Sequence, residues 1–118
     1  MYAAVARPGV FGRLLIESPS IYVDEAHILG DAASVEVWPE RIYLGAGTNE
    51  RGQPDCDPTV QTDSELVRDV RRFEQVLEEA GVTPERIRVV VTPCGVHDEA
   101  AWAARLPQAL TFLFAGER

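Results

Sequence analysis

Lysine is missing from this chain of 118 residues, so all eleven cationic side chains are arginines, against nineteen carboxylates and a net charge of −8. That balance argues against nucleic acid or an anionic membrane surface as a partner, because neutralising phosphates takes a basic patch. No apolar run approaches the ~18 residues that span a bilayer. Cysteine is scarce: Cys56 and Cys94 are too few for a disulfide scaffold. They follow the second and third expected strands, so one bond between them is open in an oxidising compartment, with free thiols the default elsewhere. A zinc site of these two with His97 and Asp57 lacks the usual ligand spacing, so no metal and no cofactor is expected. No leader precedes Met1, which gives a cytoplasmic expectation subject to any signal peptide lying upstream. The sequence also has no G-x-S-x-G: Ser18, Ser20, Ser34 and Ser64 all lack the flanking glycines of a nucleophile elbow.

What is present reads as one domain, or part of one, with 46% hydrophobic and 25% charged residues. Met1 to Arg7 is helical in composition but uncapped, and reads as the tail of a longer helix stopped by Pro8-Gly9. Arg13 to Glu17 (RLLIE) is a short apolar run, a buried strand ended by Ser18-Pro19-Ser20, with Ser20 capping the next segment. A short helix is expected over Tyr22 to Leu29, closed by Gly30, with His27 facing solvent. Trp38 beside Pro39 suggests packing. Arg41 to Leu44 (RIYL) is a second strand, opening into the glycine-bearing loop 45–50, and Arg51 to Gln61 reads as further loop. Thr62-Asp63-Ser64-Glu65 fits a capping box. Behind it Leu66, Val70, Phe73, Leu77 and Ala80 recur on one helical face, up to Gly81. Arg86 to Thr92 is a third strand, whose Val89-Val90-Val91 suits burial on both faces. Asp98 caps a last helix running to about Ala115, kinked at Pro107.

Strands alternating with helices, over crossovers this long, predict a parallel sheet between helical layers, an α/β/α fold. In such a sheet, ligands gather at the carboxyl ends of the strands. Two loops there carry residues able to do acid–base work, Glu50 and His97. A histidine oriented by a carboxylate is the base half of a nucleophilic triad, and the order acid then histidine is that of α/β-hydrolases.

Three stretches then carry a family resemblance. VFGRLLIESPS is similar to the strand after the nucleophile helix in the esterase family that includes enterochelin esterases and feruloyl esterase domains. RIYLGAGTNE resembles that family's seventh strand and acid loop. GVHDEAAWAARLPQALTFLF resembles its histidine loop and final helix, with a tryptophan five residues on and an arginine-leucine pair. The likeness runs from about Ala3 to Phe114. It implies that residues 1–118 are the C-terminal portion of an α/β-hydrolase domain, lacking the half that bears the nucleophile and the oxyanion donors. It implies carboxylic ester hydrolysis in the parent enzyme, with His97 as general base, Glu50 orienting it and Trp102 supporting the histidine loop. The substrate would be a small-molecule ester, and no nucleophile lies in this chain. The turn before His97 holds fewer glycines than is usual in the family. The insertion Arg51 to Gln61 leaves Asp63 and Glu65 as alternative acids, with Glu50 preferred on motif position. An open sheet edge is expected, covered by the missing half or by self-association. The rival expectation is a small non-catalytic α/β domain with a binding or assembly role.

Overall fold

The computed structural model describes residues 1–60 and 64–116. Its centre is a three-stranded parallel sheet in the order β1-β2-β3: Arg13–Glu17, Arg41–Gly47 and Ile87–Thr92. Arg13 pairs with Arg41 and Ile42 with Ile87, so neither pairing is local in sequence. Around the sheet lie α1 (Tyr2–Ala6), α2 (His27–Ala33), α3 (Glu65–Glu79) and α4 (Glu99–Leu113). Leu29 and Ala32 of α2 and Val67, Val70, Phe73 and Leu77 of α3 share one core with Ile16, Ile42, Leu44 and Ala46. Tyr43 points the other way, onto Ala109, Phe112 and Leu113 of α4. The alternation of β2 therefore feeds two helical layers, and the chain has a mixed α/β fold of three layers.

Several boundaries differ from the sequence expectation. The capping role falls to Ser64, whose Oγ accepts from Val67 N; Thr62 and Asp63 lie outside the described residues. The helix expected at Tyr22 starts only at His27, because Asp24, Glu25 and Ala26 take left-handed backbone angles in a tight turn. Neither that turn nor α2 has a side-chain cap, so Ser20 does not serve as one. Gly30 does not close α2, which runs on to Ala33 because Ala32, one turn beyond Leu29, is fully buried. β2 continues through Gly47, three residues past its apolar run. β3 is not the fully buried strand: β2 is, while Val89, Val90 and Val91 are half-buried on an edge strand. Trp38 packs edge-on against Phe73 with ring centroids 5.9 Å apart. No helix among the described residues is long and apolar enough to cross a membrane.

Candidate active site

The carboxyl ends of the three strands converge on one corner. β2 ends at Gly47, and the loop behind it turns so that Glu50 folds back: its Oε1 accepts from Gly47 N at 2.6 Å. β3 ends in a turn that Cys94 enters with φ of 53°, delivering His97 from the neighbouring strand. His97 Nδ1 lies 3.0 Å from Glu50 Oε2. With a carboxylate as partner, that nitrogen carries the hydrogen and leaves Nε2 as the basic one. The Glu50 side chain is 8% exposed against 45% for that of His97, so the carboxylate is enclosed and the imidazole reaches solvent. Both line a cleft of about 580 Å³ whose walls include Ser20, Thr48, Arg51 and Leu66.

The two loops are held together along their backbones. Thr48 N donates to Thr92 O, Asn49 N to Gly95 O, and Cys94 N to Thr48 Oγ1. Gly47 and Gly95 touch directly, and a Cβ on Gly47 would run into the Gly95 carbonyl. This contact explains the glycine where β2 ends. A disulfide between Cys56 and Cys94 joins the loops covalently. Both sulfurs are thereby used, and neither is free to ligate a metal.

Arg105 of α4 is 2% exposed. Its Nε donates to Glu17 Oε2 at 2.8 Å and its Nη1 to Thr92 Oγ1 at 3.1 Å. Nη2 sits 2.7 Å from the same Glu17 oxygen, an ion contact without hydrogen-bond alignment. One guanidinium so ties α4 to the ends of β1 and β3. Gly45 passes under the Glu17 carboxylate, where a side chain would collide with it.

No family model, curated protein or solved structure matches this chain. The site therefore rests on its own geometry. Glu50 and His97 are brought together. Trp102 stands edge-on to His97, 5.1 Å between centroids. Glu65 lines the cleft, but its carboxylate pairs with Arg51 at 3.2 Å; Asp63 lies outside the described residues. Ser18 is the site residue that sequence reasoning missed. Read as a strand terminator, it is 4% exposed, donates from Oγ to Glu50 Oε1 at 2.8 Å and accepts from Trp102 Nε1 at 3.1 Å. The available signal was its position at a strand end beside the acid loop; its φ of 44° was not readable from the residue type.

Proposed function

We propose that this chain supplies the acid–base half of a serine α/β-hydrolase acting on carboxylic esters. The observation that carries the reading is the Glu50–His97 pair, with an enclosed carboxylate on Nδ1 and the imidazole open to a cleft at the strand ends. In the reaction, Nε2 of His97 accepts the proton of a serine hydroxyl as its oxygen bonds to the ester carbonyl carbon. The imidazolium then returns that proton to the departing alcohol as the C–O bond breaks. Water repeats the cycle on the acyl-enzyme, and Glu50 holds the ring and offsets its charge throughout.

The serine and the oxyanion donors come from a further βα segment beside β1. That edge has no strand neighbour among the described residues. Tyr2, Val10, Phe11 and Leu15, on or before β1, are exposed, as are Leu106 and Leu110 on α4 and Phe114 at its C-cap. Arg13 Nε reaches Leu113 O while Phe112 stacks under Arg88 of β3. The Leu113 side of α4 therefore faces the β1 edge, and the exposed α4 residues follow Arg105, Ala109 and Leu113 on that flank. An added strand and helix would cover both surfaces. The disulfide supports an oxidising compartment over the cytoplasm.

The test is reconstitution: a segment bearing a G-x-S-x-G elbow, added to this chain, should give cleavage of a small activated ester. His97→Ala should then lower kcat by about 10⁴-fold or more. Full activity in His97→Ala would falsify the assignment. A chain that stays monomeric, melts cooperatively and gains nothing from such segments favours the non-catalytic domain instead.

A further inference from the structure

We propose that Ser18 is the positioning residue of the Glu50–His97 pair, a role whose catalytic meaning rests on the hydrolase reading. Trp102 Nε1–H only donates, so Ser18 Oγ must accept there; a carboxylate only accepts, so the hydroxyl hydrogen must point at Glu50. The hydroxyl hydrogen is thereby committed to Glu50 and not to the basic Nε2 of His97, so Ser18 is not placed as the nucleophile.

The consequence falls on Glu50. Gly47 N alone would let the carboxylate pivot about a single hydrogen bond. The second donor on Oε1 comes from a different strand and removes the pivot, leaving Oε2 aimed at His97. The imidazole in turn packs against the Trp102 ring, so four side chains close a loop of contacts: Ser18, Glu50, His97, Trp102. The backbone also takes part. Ser18 adopts φ of 44° while its N–H still donates to Gly45 O at 2.8 Å, and this left-handed turn brings the side chain to the acid loop. A non-glycine residue in that region is costly and persists where its surroundings over-determine it.

The left-handed backbone makes a decisive test available, because it separates stability from positioning. Ser18→Gly removes the hydroxyl while suiting the backbone. Ser18→Thr keeps the hydroxyl but puts a branched Cβ where it is least tolerated. The readout is the tautomer ratio of His97, by ¹⁵N-detected NMR of the 118-residue chain without substrate. Exposed His27 is the internal reference. In Ser18→Gly the ratio of Nδ1–H to Nε2–H at His97 should fall about tenfold, as the loss of one charge-assisted hydrogen bond allows. Ser18→Thr should melt at a lower temperature than Ser18→Gly yet keep the parent ratio. If Ser18→Gly folds and keeps the parent ratio, Ser18 is only a strand terminator and the proposal is overturned. The same holds if the ratio in the two variants follows their melting order. Should Ser18→Thr not fold, Ser18→Gly decides alone. A shifted tautomer with no esterase on reconstitution would sink the hydrolase reading and leave the positioning role intact.

Discussion

Tyr43 is fully buried, yet its hydroxyl finds no hydrogen-bond partner among the described residues. Burial raises its pKa, the nearby Glu17 charge adds to that, and Arg105 and Arg88 oppose it. The raised value means that the folded state holds the phenol proton longer than the unfolded chain does. The resulting stability is complete below the ordinary tyrosine value of about 10 and is lost as pH climbs through the higher folded value. Because the buried hydroxyl is unpaired among the described residues, Tyr43→Phe should stabilise the fold by about 1 kcal/mol at pH 7. It should also weaken the decline in stability above pH 10; urea titrations at pH 7 and pH 10.5 check both signs. A loss of stability at pH 7 would mean that the hydroxyl has a partner. Glu50 and His97 were legible at this scale because their chemistry follows from residue type and place on a strand end. Ser18 was not, because its role depends on a backbone angle that serine does not announce.

Between elements, the buried Arg105–Glu17 contact and the disulfide make separate predictions. Arg105→Leu leaves Glu17 as a half-buried charge without its partner, and should cost about 3–5 kcal/mol in chemical denaturation. Glu17→Gln with Arg105 retained should also destabilise, whereas a hydrophobic pair replacing both should recover much of the loss. Cys56 and Cys94 are 38 residues apart in sequence, and a loop of that size is worth about 3–4 kcal/mol in chain entropy. Cys56→Ser with Cys94→Ser should lower the melting temperature and broaden the His97 resonances, since the acid and histidine loops then depend on their hydrogen bonds alone. An unchanged melting temperature would show that the bond adds nothing to the loops' own pairing. Apolar runs announced all three strands. The last turn of β2 was hidden, because Gly45 and Gly47 read as loop while they serve as strand positions lying against Glu17 and Gly95. Ser64 caps α3 where the capping-box pattern pointed to Thr62, because either hydroxyl can serve as an N-cap and residue type alone does not select one.

At the scale of the molecule, exposed apolar side chains on and before β1 and on the adjoining flank of α4 are set against a net charge of −8. The charge favours dispersal and the uncovered edge favours pairing. Sedimentation of the isolated chain should show concentration-dependent association, reduced by Leu106→Glu with Leu110→Glu; a monomer at all concentrations would favour the non-catalytic domain. The parallel layering was legible from the alternation of strand and helix. Which strand lies innermost was not, since Val89-Val90-Val91 looks more buried than RIYL and only the pairing order puts β2 in the middle. That order also sets a tempo. With no hairpin among the described residues, no strand of the reduced chain can find its neighbour by a short loop: β1 waits for Arg41 and beyond, and β2 waits for Ile87. Among the described residues, α3, with its cap and amphipathic face, has the strongest local support for early structure. Non-local pairing of this kind slows sheet formation, and refolding of the reduced chain should take milliseconds or longer, which stopped-flow fluorescence checks.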